Sequence, residues 1–297
     1  SKRGYAIFIC SKSCKLLNNG VKMPKIGYGV YQVSPDECVR CVEEALHVGY
    51  RLIDTAQSYD NEYEVGQALQ QSGVLRGDIF LTTKIWIANA GYEKAKESID
   101  DSLRRLQTDY IDLMLIHQPF GDYYGTYRAM EEAYKAGKLR AIGVSNFFAD
   151  RLIDLCHNVE IMPAVNQVET HVFHQQAELH AIMDKYGVVH ESWGPFAEGR
   201  KDFFTHPVLQ RIGAAHHKTA AQAALRFLLQ KDIVVIPKSV HKERMAQNLD
   251  IFDFSLSDGE MKELEGLDEK ESLFFSHYDP KMVEWFYDMV KARKLRK

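Results

Sequence analysis

The stretch YIDLMLIHQPFGDYYGTYRAMEEAYKAG (110–137) decides the fold reading. Its opening run, YIDLMLIH (110–117), is short and apolar on both faces, as a strand buried on both sides must be. The segment YYGTYRAMEEAYKAG that follows carries charge on one face and apolar side chains on the other, the pattern of an amphipathic helix. A buried strand followed by such a helix is one βα module.

Working outward, the module recurs about every 25–30 residues, the size expected of a βα unit. KIGYGV (25–30) precedes a helix that opens at Ser34, with Pro35 in its first position and Glu37 completing an expected capping box. RLID (51–54) leads to NEYEVGQALQQ, and IFLTTKIW (79–86) to YEKAKESIDDSLRRL. LRAIGVS (139–145) leads to FADRLIDLCHN, and AVNQVE (164–169) to QQAELHAIMDKYG. VVHESWG (188–194) is followed by a longer excursion and then AAQAALRFLLQK; DIVVIPKSV (232–240) leads to KERMAQNL. Eight such units in 297 residues favour a closed (β/α)8 TIM barrel over an open sheet, as a single domain spanning 1–297. Residues 1–20 read as an N-terminal tail or strand segment. The loop GPFAEGRKDFFTHP (194–207), after the seventh strand, is long enough to be functional or mobile. After a second capping box, Ser257 to Glu260, the region 271–297 contains SLFFSHYDPKMVEWFYDMV, aromatic enough to fold back over the mouth.

Composition sets the outer bounds. Hydrophobic residues make up 45% and charged residues 26%, with a net charge of −4, so nothing points to nucleic acid or an anionic membrane as partner. No apolar run approaches the roughly 18 residues of a membrane span. The basic start and YAIFIC imitate a signal peptide only loosely, and a cytoplasmic protein is expected. Of five cysteines, Cys10 and Cys14, then Cys38 and Cys41, have possible zinc-ligand spacing. Cys38 and Cys41, however, fall on a helix face shared with Val42 and Ala45, which favours buried thiols and no metal.

The chemistry gathers at the strand ends. Asp54, Tyr59, Lys84 and His117 each lie just past a short apolar run, and in a parallel barrel those positions converge on one mouth. Tyrosine is a weak acid, with an ordinary pKa of about 10; a neighbouring ammonium favours its phenolate and eases proton donation. Lys84 is the candidate ammonium, Asp54 its ion-pair partner, and His117 a group to orient a carbonyl oxygen. Protonating that oxygen helps only if hydride reaches the carbon, which no side chain can supply, so a cofactor is required. GYG (27–29) lacks the spacing of a dinucleotide fingerprint. VVIPKSVHKERMAQN (234–248) lies where barrels often hold phosphate, with Lys238, Ser239 and Arg244 as candidate ligands.

LIDTAQSYDNE, LTTKIW, YIDLMLIHQP, IGVSNF and IPKSV, in that order, resemble the aldo-keto reductase family along nearly the whole chain. Within that family the chain looks nearest the bacterial small-carbonyl reductases of the diketogluconate reductase and prostaglandin F synthase type. The resemblance implies a catalytic tetrad of Asp54, Tyr59, Lys84 and His117, with Tyr59 as general acid in carbonyl reduction. It implies that Ser145, Asn146 and Gln167 hold the nicotinamide amide and that Trp193 stacks on its ring. Lys238, Ser239, Arg244, Gln247 and Asn248 would clamp the adenosine and its 2′-phosphate, so NADPH is expected over NADH. Tyr31, Trp86 and Gln118 would line the substrate pocket, Gln118 replacing a tryptophan common in eukaryotic members. Gly194 stands where serine is frequent, and Gln247 where glutamate is common. A monomer acting on a small carbonyl compound is implied. The rival readings are a cofactor-binding sensor or regulatory subunit without turnover, and a Schiff-base lyase using Lys84 as nucleophile.

Overall fold

The structure, a computed structural model, describes residues 13–294. Cys10, the basic start and most of the expected N-terminal segment lie outside the described residues. A hairpin of β1 (Cys14–Leu16) and β2 (Lys22–Pro24) comes first. The barrel strands are β3 (Tyr28–Gly29), β4 (Leu52–Asp54), β5 (Phe80–Ile85), β6 (Leu113–Ile116), β7 (Ile142–Ser145), β8 (Val165–Glu169), β9 (Val189–Trp193) and β10 (Val234–Val235). All eight pair in parallel in chain order, and a bridge from Ile26 to Val235 joins the two ends. The barrel expected from the eight repeats is therefore the one observed.

Helices α1 (Pro35–Val48), α2 (Glu62–Gln71), α3 (Tyr92–Leu106), α4 (Tyr123–Lys135), α5 (Ala149–Asn158) and α6 (Ala177–Tyr186) follow the first six strands. After β9 come α7 (Pro207–Ala215) and α8 (Ala220–Gln230), and after β10 come α9 (Lys242–Leu249), α10 (Asp258–Glu265) and α11 (Pro280–Lys294). On α1, Cys38, Cys41, Val42 and Ala45 are all buried, as an amphipathic face requires. Leu17 and Met23 of the hairpin region pack with Leu52, Phe80, Leu113, Leu115 and Val189, closing the barrel at its N-terminal end. The opposite mouth is left to chemistry.

Local chemistry corrects several expectations. Ser34 caps α1 only through its backbone, with no side-chain bond, and Glu37 lies 3.6 Å from Arg40. The expected capping box is absent there, while the one at Ser257 and Glu260 forms. An unforeseen box, Thr219 with Gln222, opens α8. The eighth strand shortens to two residues because Pro237 lacks the N–H a ladder needs. The 194–207 excursion is a distorted 3-10 segment, Ala197–Thr205, with Glu198, Lys201 and Asp202 at positive φ. The aromatic tail does fold back: Phe286 and Val290 of α11 bury against Trp86, Ile87 and Phe120.

Candidate active site

Lys84 leaves β5 fully buried, and its ammonium finds three oxygens at the barrel mouth. It donates to Asp54 Oδ1 at 2.6 Å, Thr55 O at 3.0 Å and Tyr59 Oη at 3.2 Å. Asp54 ends β4, one strand away, and is itself 1% exposed. A pair this deeply desolvated persists only with good geometry and further hydrogen bonds, and here both are present. Burial alone would lower the Lys84 pKa, but Asp54, followed by Tyr59, holds it above its ordinary value. An ammonium held charged between Asp54 and Tyr59 is a poor nucleophile, which weighs against the Schiff-base reading.

Tyr59 closes a single 3-10 turn, Gln57–Tyr59, just after β4. That turn is fixed by Gln57, whose Oε1 accepts from Trp86 N and Asn89 Nδ2, both at 2.9 Å. Its Nε2 donates to Ser98 O and Ser102 Oγ on α3. Asn61 does similar work next door, accepting from Thr55 Oγ1 and donating to Val30 O and Val33 O, which ties down the loop carrying Tyr31. Neither Gln57 nor Asn61 stands out in the sequence, because an interior amide that braces two loops leaves no periodic signal.

Burial, with Asp54 adding to it, pushes the Tyr59 phenol up to about 12 although Lys84 pulls it down. The expected effect of the ammonium is present in sign and outweighed in size. Tyr59 therefore keeps its proton at neutral pH. His117 follows β6, its ring edge-on to Tyr59 at 5.7 Å and to Trp86 at 5.3 Å. Its Nδ1 lies 3.3 Å from Ser58 Oγ. Burial, then the charge of Lys84, holds its pKa well below the ordinary histidine value, so the ring is neutral.

The other sequence candidates fall into three groups. Ser145, Asn146 and Gln167 sit together on the floor, each engaged with protein. Ser145 Oγ donates to Gln167 O at 2.7 Å. Asn146, at φ 60, donates through Nδ2 to His117 O and Gln118 Oε1, while its Oδ1 accepts from Trp193 Nε1 at 2.9 Å. Gln167 Nε2 donates to Asp54 Oδ2 at 2.9 Å and also to Glu191 Oε1. The buried Glu191 went unnoticed in the sequence reading, since one acid in a strand looks like any other.

After β10, Lys238 in the loop and Arg244 in the first turn of α9 are exposed and, among the described residues, neither has a carboxylate partner. Ser239 Oγ accepts from His241 N at 3.1 Å and Asn248 is buried, while Gln247 is exposed. Two unpaired cations beside the start of α9 fit the polyanionic end of a dinucleotide. Trp193, held through its indole nitrogen, offers a fixed ring at the same mouth, 5.4 Å from Phe274. Gly194 has φ +64, a left-handed conformation that a serine there would hold under strain.

Of the pocket candidates, Tyr31 is half-exposed with its ring 5.2 Å from Tyr59, and Trp86 is buried between His117 and Phe286. Gln118 is buried, and its Oε1 accepts from His277 of the tail at 2.8 Å as well as from Asn146. The residue expected as a polar wall also ties the tail to the floor. A second tail anchor was missed: Glu169 at the end of β8 accepts from His171 Nε2, Leu273 N and Ser272 Oγ. Arg200 and Lys201 of the distorted loop reach Leu273 O of the same tail and Glu269 just before it. Among the described residues, no three histidines, cysteines or acids stand together as metal ligands.

A parallel (β/α)8 barrel gathers a tyrosine, a lysine, an aspartate and a histidine at its C-terminal mouth, the end where enzymes of this fold keep their active sites. The model of the Aldo/keto reductase family matches residues 18–269, and the chain belongs to that family. It is 45% identical over 266 residues to the morphine 6-dehydrogenase of Pseudomonas putida, covering 85% of this chain and 90% of that protein. It is 44% identical to the glyoxal reductase of Bacillus subtilis, over 86% of this chain and 92% of that one. It is 40% identical to the methylglyoxal reductase DkgA of Escherichia coli, over 86% and 94%. Among solved structures, an aldo-keto reductase from a Medee basin deep-sea metagenome library superposes with a TM-score of 0.87. That protein is 42% identical, and the match covers 89% of this chain and 98% of that one.

Proposed function

We propose that this chain reduces aldehyde and ketone carbonyls to alcohols, with NADPH as the hydride source and Tyr59 as the general acid. The carrying observation is the ammonium of Lys84, bound at once to Asp54 and to Tyr59 Oη. A nicotinamide dinucleotide, when bound, supplies the hydride that no side chain can give. Tyr59 gives its phenolic proton to the carbonyl oxygen, and the developing phenolate lies beside an ammonium 3.2 Å away. Asp54 keeps that ammonium charged and in place. The neutral ring of His117, its Nδ1 engaged with Ser58 Oγ, orients the same oxygen through its other nitrogen. In the reverse direction Tyr59 takes the proton back.

Ser145, Asn146, Gln167 and Trp193 are the residues that would hold the nicotinamide, and Lys238, Ser239, Arg244, Gln247 and Asn248 the adenosine and 2′-phosphate. Tyr31 and Trp86 supply aromatic walls suited to small and medium carbonyl compounds. The names of the glyoxal and methylglyoxal reductases among the relatives favour dicarbonyls as the first substrates to try. Absorbance loss of NADPH, followed over activated aldehydes, dicarbonyls, keto sugars and quinones and repeated with NADH, tests the reading. Turnover with NADPH well above NADH supports it. Tight NADPH binding without turnover on any carbonyl would assign the chain to cofactor sensing.

A further inference from the structure

Glu191, on β9, is fully buried in the barrel interior and takes no part in the chemistry above. Its neighbours in the sheet are Gln167 of β8 and Val234 of β10. Glu191 Oε1 accepts from Gln167 Nε2, and its Oε2 meets no polar partner. The other amide hydrogen of Gln167 goes to Asp54 Oδ2. The carboxamide of Gln167 is therefore clamped between two acids, one in the catalytic pair and one outside it.

The orientation of that amide follows from the clamp. Asp54 is ionised because it pairs with Lys84, so the atom of Gln167 that faces it must be a donor. Turning the amide over would set its oxygen against a carboxylate. With both hydrogens of Nε2 committed to acids, Gln167 Oε1 is the atom left for a ligand, and it can only accept.

Resting on the function proposed above, we infer that Glu191 is a positioning residue. By taking the second amide hydrogen of Gln167, it fixes Gln167 Oε1 as the acceptor for the carboxamide N–H of a nicotinamide dinucleotide. The arrangement also explains how two acids tolerate each other in one desolvated space. The charged groups acting on Glu191 across the barrel are Asp54 of β4 and Lys84 of β5; Gln167 is neutral and Val234 apolar. Lys84 already neutralises Asp54, so a second carboxylate has no cation of its own. Burial, then the Asp54 charge, pushes Glu191 up to about 8, which favours its neutral form.

Two substitutions separate these effects. Glu191→Leu removes the acceptor, whereas Glu191→Gln keeps an accepting oxygen and cannot ionise. Binding of NADPH, read from the fluorescence of the reduced nicotinamide, should weaken about 10-fold in Glu191→Leu, the loss of one oriented hydrogen bond. Glu191→Gln should restore it to within about 2-fold of wild type, since an amide oxygen accepts as well. The second readout is the thermal midpoint of the cofactor-free proteins against pH. A carboxyl raised in the folded state loses stability as pH climbs from its ordinary 4.5 toward about 8, because the unfolded chain releases the proton first. Wild type should therefore fall behind Glu191→Gln across that window, with a constant gap above it.

Wild-type affinity in Glu191→Leu, equal weakening in both variants, or a gap that ignores pH would each overturn the inference. If wild type itself binds no nicotinamide dinucleotide, the function reading fails, and with it the purpose assigned to the clamp. The pH-dependent gap would still distinguish that outcome from a misread acid.

Discussion

Lys84 and Lys201 each face a carboxylate at the same end of the barrel, yet almost everything that sets the strength of the two pairs differs. Lys84 stands on β5 against Asp54 of β4, side chains 0% and 2% exposed, with Thr55 O and Tyr59 Oη completing the ammonium's partners. Lys201 stands in a distorted loop against Glu269 before the tail, both 43% exposed. The floor holds its charges by desolvation and by strands that cannot move apart; the rim holds its charges in water, where salt and entropy dilute them. A site built this way keeps its acid fixed by burial, while the loop above it adds only a solvent-screened pair to the contacts of the tail.

The comparison breaks most visibly at the acid. Tyr59→Phe removes the proton donor without emptying the space it fills. Turnover on the best carbonyl should fall by about 10²- to 10⁴-fold, the usual worth of a positioned acid. NADPH affinity should hold within about 2-fold, because no cofactor contact is assigned to the phenol. Near-normal turnover would mean that the proton comes from elsewhere and that the floor is a structural ion pair only.

Lys84→Met tests the floor as structure. It leaves the Asp54 charge buried with Gln167 as its remaining side-chain donor. Denaturant unfolding of the cofactor-free protein should show a loss of about 3–5 kcal/mol, as for other broken buried pairs. A loss below about 1 kcal/mol would place the pair in the same class as a surface contact.

Arg244→Ala tests whether the exposed cations after β10 select the cofactor. Arginine's planar fork suits a phosphate dianion, and NADPH alone offers the extra one. The dissociation constant for NADPH should rise about 10- to 100-fold, a charge-assisted hydrogen bond's worth, with NADH little changed. Equal weakening of both would move Arg244 to the shared pyrophosphate or to no contact at all.

The same division governs what the sequence discloses. Asp54, Lys84 and His117 follow apolar runs that can only be buried strands, so their convergence is readable from spacing and parallel topology. Tyr59 was legible through its place after RLID, although the turn that aims it depends on Gln57 and Asn61, two amides with no periodicity to betray them. Gln118 illustrates the limit: its residue type suggests a polar pocket wall, and nothing local shows that a histidine 159 positions away also bonds its oxygen. The capping box at Ser34 failed for a related reason. A local pattern only permits a side-chain cap, and here Glu37 turns towards Arg40. Contacts between loops distant in the chain are set by packing alone, and short-range sequence carries no record of them.

The smallest expected effect is at the rim, and it sharpens the contrast from the weak side. Glu269→Gln removes the charge facing Lys201 while keeping size and hydrogen-bonding capacity. Because both side chains are 43% exposed, water replaces most of what the pair supplied, and the unfolding free energy should change by less than about 1 kcal/mol. The tail should stay docked, since Ser272, Leu273 and His171 still converge on Glu169 and His277 still reaches Gln118. Hydrogen exchange across 269–279 compared with wild type, at low and at high salt, is the informative measurement. Unchanged protection means that the tail is held by its buried anchors. A large loss of protection at low salt, recovered by no other substitution, would show that this exposed pair closes the mouth, and the division between a fixed floor and a loose rim would have to be redrawn through Lys201.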